Sequence, residues 1–294
     1  MTTMTNDVLA TVQSKFDFSV DKFPLSGPES MATPFYGLFR SDSMECIGNS
    51  VKKVYVPHTT DDVLALVEAA GEAFDDSINV ECHFNHGHYV NIAPSADYRR
   101  SVCGTADNVF PRFIVRAGYD GKAFAATMGY YRDLCSNLSM MRKVSGTTVS
   151  IRHTSGLRSK MDDLIQTFQV LKESWADLTD VIDRMTEREV VMTDFLDAIY
   201  GQPDPDSKRG VTVHKNRTEA IFRRLYREHR ATSRDVFPTD FKVNAWLAYN
   251  AVQGYVQHDA TRKNGQTGDF ARIIASSNDR AVRTAEVLAL DLAV

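Results

Sequence analysis

Apolar side chains recur with an unbroken 4-3 spacing from residue 157 to residue 185, and this pattern constrains the fold more than any other in the chain. The seam consists of Leu157, Met161, Leu164, Phe168, Leu171, Trp175, Leu178, Ile182 and Met185. Such spacing places the side chains on one face of an α-helix, which at about 1.5 Å per residue is about 45 Å long. We expect this helix to cross a sheet and pack against C-terminal helices, or to offer part of its seam to a second subunit.

Strand patterns precede the helix. Phe110–Gly118 and Lys122–Asp133 flank the dipeptide Asp120-Gly121, which is a favoured pair for the tight turn of a β-hairpin. Another strand pattern covers residues 147–154. The sequence therefore predicts the α+β class: a twisted antiparallel sheet backed by the long helix, with a helical C-terminal subdomain.

Three segments follow from the distribution of these patterns. Residues 1–50 mix Gly and Pro with scattered aromatic residues, which indicates an irregular N-terminal arm. Residues 51–200 form the predicted α+β core domain with the central hairpin. A Pro-rich break at residues 202–206 then opens the helical C-terminal subdomain, residues 201–294.

The net charge of −4 conceals a strong alternation along the chain. Residues 91–160 carry 11 basic and 4 acidic residues, whereas residues 1–90 carry 5 and 13. The sign changes again at residues 161–210, with 5 basic and 12 acidic residues, and at residues 211–294, with 13 and 9. Either the blocks neutralise one another across the folded surface, or a basic block forms a site for a polyanion.

The hairpin favours the polyanion site. Alternate residues of a strand share a face, so Phe113, Val115, Phe124, Met128 and Tyr130 form an apolar face. The opposite face presents Arg112 and Arg116 together with Tyr131. A single nucleic-acid strand needs phosphate partners and a stacking plane, and this face offers both.

We predict nucleic-acid contacts from basic and aromatic residues of this block, and no catalytic residue, metal ion or cofactor. The contacts are Arg99, Arg100, Arg112, Arg116, Tyr119, Lys122, Tyr131, Arg132, Arg142, Lys143, Arg152, Arg158 and Lys160. Residues 211–230 contain six further Lys and Arg against two Glu, which predicts an exposed basic helix.

Two alternatives stay open. His86 and His88 share a strand face and are candidates for a metal-dependent nuclease, although no third ligand stands at an obvious spacing. A host-takeover or structural phage protein would instead act through protein contacts, using the acidic blocks or the heptad seam. The chain lacks phosphate-loop, dinucleotide-binding and common hydrolase motifs, which disfavours an enzyme.

The order of motifs resembles the phage- and plasmid-like family catalogued as domain of unknown function 932. The resemblance rests on AGYDGKAFAATM (117–128), YRDLCSN (131–137), SIRHT (150–154) before the long helix, and NAWLAYNAVQGYVQHD (244–259). It implies a phage, prophage or plasmid protein located in the host bacterial cytoplasm. The architecture is similar to that of phage single-strand annealing recombinases, an analogy that does not establish function.

Together these observations predict a phage-encoded single-stranded DNA-binding protein that acts in replication or recombination. Strand annealing, homo-oligomerisation and a phage or host protein partner are left open. No run of about 18 apolar residues and no signal-peptide pattern occurs, so we expect a soluble protein that is not exported and has no membrane partner.

Overall fold

The computed structural model confirms a mixed α+β protein with antiparallel sheets and a helical C-terminal region. It describes residues 2–48, 50–74, 78–84, 87–94, 98–102, 107–119, 123–132, 138–139, 148–233, 235–260 and 279–293. The chain forms two compact units, each of which is discontinuous in sequence. Unit 1 contains residues 1–98, 111–129 and 145–174, and unit 2 contains residues 99–110, 130–144 and 175–294. The predicted boundaries near residues 50 and 200 stay a prediction about independently folding domains.

Regular structure begins at the N-terminus. Helix α1 (Thr2–Lys15) precedes a three-stranded antiparallel sheet of β1 (Val20–Ser26), β2 (Ala32–Arg40) and β3 (Val51–Lys52). The prediction of an irregular arm was therefore wrong. Pro24 does not prevent pairing because it lies on β1, at the edge of this sheet, next to a shift in register.

Helix α2 (Thr60–Ala73) begins with a capping box. The Thr59 side chain accepts a hydrogen bond from the Asp62 backbone N–H, and the Asp62 carboxylate accepts one from the Thr59 N–H.

A seven-stranded antiparallel sheet contains the predicted hairpin strands. Its main order is β10-β8-β7-β5-β4, with β6 pairing β7 and β9 pairing β8. The strands are β4 (Ile78–Phe84), β5 (Gly87–Pro94), β6 (Arg100–Ser101), β7 (Asn108–Gly118), β8 (Phe124–Arg132), β9 (Leu138–Ser139) and β10 (Thr148–Ile151). The predicted turn at Asp120 and Gly121 lies outside the described residues.

The heptad prediction is confirmed by helix α3 (Leu157–Glu187), which is 31 residues long. Among the described residues it is followed by helices α4 (Met192–Tyr200), α5 (Lys208–Thr232), α6 (Ala245–Gly254) and α7 (Arg280–Ala293). Strands β11 (Glu189–Val191) and β12 (Lys242–Asn244) pair with each other, and a π-helical turn, Tyr255–Asp259, continues α6.

Every residue of α6 is buried, which makes this helix the centre of the unit 2 core. Trp246 and Tyr249 are among the largest fully buried side chains of the chain. Among the described residues, no helix is both long and apolar enough to cross a membrane.

Candidate nucleic-acid interface

The arginines of β7 are less accessible than the sequence predicted. Arg112 and Arg116 are half-buried, while Phe113 and Val115 between and beside them are fully buried, as predicted for the apolar face. Arg112 Nη1 donates to the Pro111 carbonyl at 3.0 Å, and the Nε atom of Arg116 is out of contact with solvent. Strand β7 lies between β5 and β8, so its side chains are flanked by those of both neighbours.

The prediction for Arg132 was wrong, because its guanidinium is fully buried in unit 2 and neutralised by two carboxylates. Arg132 Nε donates to Asp107 Oδ2 at 2.5 Å, and Nη1 donates to Glu228 Oε2 at 2.9 Å. The Trp246 indole N–H donates to the same Asp107 oxygen at 3.1 Å. A cation held in this way has no access to a phosphate.

The prediction for Tyr119 was also wrong, because this side chain is 1% exposed in the core of unit 1. Its hydroxyl donates to the His58 carbonyl at 3.0 Å, and its ring stacks on the His58 ring with centroids 4.2 Å apart. No face of the ring is left for a base to approach from solvent.

Four other predicted contacts are exposed but are divided between the units. Arg99 and Arg100 belong to unit 2, and Arg152 and Lys160 belong to unit 1. Lys122, Arg142 and Lys143 lie outside the described residues, as do the side chains of Tyr131 and Arg158.

Helix α5 presents a more continuous basic surface. It is 25 residues long, about 37 Å, and is capped at its N-terminus by Ser207, whose side chain accepts a hydrogen bond from the Gly210 N–H at 3.1 Å. Since successive residues turn by about 100°, six exposed cations fall within a sector of about 120°. This α5 basic face consists of Lys208, Arg209, Lys215, Arg223, Arg227 and Arg230.

Most of these cations are available to a ligand. Among the described residues, no ion pair is made by Lys208, Arg209, Arg223 or Arg230. Lys215 and Arg227 each have a carboxylate at 3.9 Å, from Glu219 and Asp259 respectively. Exposed pairs at that distance contribute little, so an anionic ligand can replace them.

Buried contacts on the opposite side of α5 set its orientation. Ile221 and Leu225 are fully buried, and Arg224 donates from Nε and Nη2 to the two oxygens of Asp259 at 2.8 and 3.2 Å. Glu228 connects this side to Arg132. Because these groups must stay buried and paired, the basic face is turned to water.

The absence of a side chain at Gly254 leaves the space that the Arg224 side chain occupies. A Cβ atom at this glycine would lie 2.6 Å from Arg224 Cδ and 2.7 Å from Nη1, which is too close for any side chain. Glycine at the end of α6 is therefore needed for the guanidinium to reach Asp259 on the π-helical turn.

Aromatic side chains adjoin the α5 basic face. The α5 aromatic cluster consists of Phe222, Tyr226, His229, Phe237 and Phe241. The ring centroids of Tyr226 and Phe237 are 4.0 Å apart. The side chain of Tyr226 is 43% exposed and that of Phe241 is 38% exposed. Half-exposed rings beside a row of cations are what a single strand needs for base stacking.

Unit 1 has a different polar centre, the buried histidine pair His58 and His88. Their rings share a hydrogen bond of 2.7 Å between His58 Nε2 and His88 Nδ1. Burial lowers the pKa of His58 well below its ordinary value, helped by the neighbouring His88 and His153. Burial, with the charge of Arg40, lowers the pKa of His88 to about 3. Both rings are therefore uncharged at neutral pH.

The surroundings of the histidines do not support the alternative of a metal-dependent nuclease that uses His86 and His88. His86 lies outside the described residues, and His88 is held by His58 in the core. Within the part of the chain that the structure describes, no three His, Cys, Asp or Glu side chains are placed to hold a metal ion. A cavity of about 650 Å³ beside His58 is lined by Asp17, Asp21 and Asp61 and by no Lys or Arg, so its charge disfavours phosphate.

Comparison with known proteins identifies the family but no characterised relative. The model of the family described as "Domain of unknown function (DUF932)" matches residues 49–282. The match covers most of the chain, so the protein belongs to this family. No curated protein and no solved structure matches the chain.

Proposed function

We propose that this DUF932 family member binds single-stranded nucleic acid through the α5 basic face. The observation that carries the proposal is the row of six exposed cations, four of them without an ion pair among the described residues, along about 37 Å of one helix. A row of this kind follows the phosphates of a strand, and it is the electrostatic part of nucleic-acid binding.

The aromatic cluster supports a single strand over a duplex. Base stacking on an aromatic side chain contributes about 1–3 kcal/mol per base and requires bases that are not paired. Tyr226 is 43% exposed on the same face of α5 as Arg223 and Arg230. Phe241, which follows α5 in the chain and is 38% exposed, contacts the Phe222 ring of that helix. The net charge of −4 restricts indiscriminate binding elsewhere on the protein.

The biological setting belongs to the same proposal. A phage-encoded protein of this kind acts on single strands in replication or recombination in the host bacterial cytoplasm, with strand annealing as an extension. Arg99 and Arg100, in the same unit as α5, are additional candidates for phosphate contacts in this proposal. The candidates of unit 1, Arg112, Arg116, Arg152 and Lys160, stay separate predictions.

Fluorescence anisotropy with a labelled oligonucleotide at increasing salt tests the proposal. Six phosphate contacts give a slope of about −4 in a plot of log K against log salt concentration for a single strand. We expect the triple variant Arg223→Gln, Arg227→Gln, Arg230→Gln to lose at least tenfold in affinity and about two units of that slope.

The matched control removes three positive charges elsewhere in unit 2, by Lys242→Gln, Arg280→Gln and Arg283→Gln. It should retain the wild-type slope and nearly the wild-type affinity. Absence of binding at low salt, or equal losses in the two triple variants, would refute an interface on α5.

A further inference from the structure

The three-stranded sheet of unit 1 has one face against the protein core. Leu38 of β2 and Val51 of β3 lie on that face, where both are buried in the same apolar cluster as Tyr119. Successive side chains of a strand point to opposite faces, and directly paired residues share a face. The other face of the sheet, which we call the outer face, therefore carries Phe23, Leu25, Phe35 and Phe39.

The apolar side chains of the outer face adjoin one another around Gly37. A Cβ atom at Gly37 would lie 2.6 Å from Phe39 Cε2 and 3.0 Å from Leu25 Cδ2, so these two side chains cover the glycine. The rings of Phe23 and Phe39 have centroids 5.7 Å apart. Phe23 and Phe35 are each 42% exposed. Exposed apolar side chains that form one patch are typical of an interaction surface, whereas isolated ones are not.

Opposite charges stand at two diagonal corners of this patch. The strand partner of Asp21 is Phe39, and the strand partner of Lys52 is Phe35. Gly37 is midway between these two phenylalanines on the central strand β2, so Asp21 and Lys52 lie on opposite sides of it. Both side chains are exposed, and among the described residues neither makes an ion pair. An apolar centre with charged residues at its rim is the usual composition of a protein–protein interface.

We infer that the outer face binds the outer face of a second copy of this chain. In a contact with two-fold symmetry the same surface is used by both copies, so it must be complementary to itself. The diagonal arrangement of the charges satisfies this condition. When two such sheets stack with the axis between them, over Gly37 and across the line from Asp21 to Lys52, Asp21 of each copy lies against Lys52 of the other. The aromatic side chains of the two copies then pack together at the centre.

Pro24 disfavours the other mode of association through this sheet. Strand β1 is at the edge of the sheet, where a second copy would add a strand by backbone pairing. Proline has no N–H to donate to an added strand, and the register of β1 shifts beside it. Face-to-face contact is therefore favoured over edge-to-edge pairing.

Cys46 lies close to the expected axis. It forms a β-bridge with Phe39 on the side of β2 away from Asp21, so it occupies a third corner of the outer face. Its side chain is exposed and its thiol is free. Because the axis crosses the line from Asp21 to Lys52, it passes toward this corner, and the two Cys46 thiols of a dimer come near each other. Cross-linking of these thiols by a short bismaleimide therefore reports the orientation of the copies.

Sedimentation equilibrium of the full chain over a range of concentrations measures the association. We expect a monomer–dimer equilibrium that is weakened about tenfold or more in Phe23→Ser, because an aromatic residue at the centre of the contact is lost. Leu292→Ser is the matched control, since Leu292 is an exposed apolar residue of α7 in unit 2, and it should keep the wild-type dissociation constant. A wild-type chain that is monomeric at every concentration would overturn the inference.

A charge swap tests the two-fold arrangement. Asp21→Lys and Lys52→Asp each place like charges together at two positions of the dimer, so each should weaken it about tenfold or more. The double variant exchanges the two charges and should regain nearly the wild-type association. Glu68→Lys, which makes the same change of charge at an exposed position of α2, should dimerise as the wild type does. A double variant that associates no better than the single variants would contradict this orientation.

Cross-linking provides an independent readout. Bismaleimide should convert the wild-type chain to a covalent dimer at concentrations where the dimer forms, and Cys46→Ser should give none; equal cross-linking of the two would show that the copies meet elsewhere. Asp21, Cys46 and Lys52 are exposed, so their variants should unfold at nearly the wild-type temperature, which separates a lost contact from misfolding. The dimer does not depend on the proposed function, because the outer face belongs to unit 1 and α5 to unit 2. Failure of nucleic-acid binding would leave the sedimentation results unchanged.

Discussion

The two units bury polar groups in different ways. Unit 1 holds the histidine pair His58 and His88, which is uncharged and joined by one hydrogen bond. Unit 2 holds charged groups, the guanidinium of Arg132 against Asp107 and Glu228, and that of Arg224 against Asp259. A buried ionisable group is tolerated either in its uncharged form or when it is paired with a group of opposite charge. The histidine pair of unit 1 is an example of the first arrangement, and the arginines of unit 2 are examples of the second.

The difference matters for function because the buried ion pairs of unit 2 also orient helix α5. Arg223 and Arg224 are neighbours on α5, yet Arg223 is exposed without an ion pair among the described residues and Arg224 is 9% exposed and paired. The paired residues hold one side of α5 in the core, and this leaves the unpaired ones in water. Arginine content alone therefore does not identify a binding surface.

The largest effect is expected where the charged cluster is broken. Arg132→Ala removes the cation that pairs with the buried carboxylates of Asp107 and Glu228, and Glu228 keeps a longer contact with Arg224 at 3.7 Å. We therefore expect the free energy of unfolding to fall by about 3–5 kcal/mol. Urea unfolding measures this loss. Arg223→Ala, the exposed control, should change stability by less than about 0.5 kcal/mol. Equal stability of the two variants would show that Arg132 is not buried with its partners.

Measurements at acidic pH test whether the buried histidines of unit 1 are uncharged. Below pH 6.5 the unfolded chain protonates His88 while the folded chain does not until about pH 3, so stability falls as pH falls through this window. The loss is about 1.4 kcal/mol per pH unit, or about 2 kcal/mol between pH 6.5 and 5, from His88 alone. His88→Asn should remove this contribution and leave that of His58, so the difference between the urea midpoints at the two pH values should become smaller.

Phe16→Leu is the control for that experiment, because the Phe16 ring contacts the His88 ring with centroids 4.3 Å apart but does not titrate. It should lower stability at both pH values and keep the wild-type slope. A His88→Asn variant with the full wild-type slope would contradict an uncharged buried histidine.

A third prediction concerns the packing that lets Arg224 reach Asp259. In Gly254→Ala the new methyl group meets Arg224 Cδ, and we expect a loss of about 1–3 kcal/mol in thermal or urea unfolding. Gly156→Ala is the matched glycine control, since its Cβ would meet nothing closer than Ser159 Oγ at 3.9 Å. If both variants unfold alike, the close approach at Gly254 does not hold.

Local patterns predicted much of the fold. The 4-3 seam predicted α3, alternation predicted β7 and β8 with Phe113 and Tyr130 buried, and the run of Lys and Arg predicted a basic helix. These predictions depend on neighbours within a few residues along the chain, which the order of residues contains.

The candidate interface was harder to predict because it depends on pairs that are distant in sequence. The sequence predicts Arg132 as a phosphate contact, but Asp107 and Glu228, which are 25 and 96 residues away in the chain, pair with its guanidinium. Tyr119 looked like a stacking ring, but the carbonyl of His58, 61 residues away, accepts its hydroxyl proton. In the same way, Arg224 counted as one more exposed cation of the basic helix.

The amino-acid sequence by itself determined the secondary structure around the seam and the hairpin, the family and the concentration of positive charge on α5. The tertiary structure decided which cations pair with buried carboxylates and which stay exposed and available to a ligand. The physical reason is that helix and strand periodicity arise from contacts over a few residues, whereas the burial of a charge depends on whatever distant group the fold places against it.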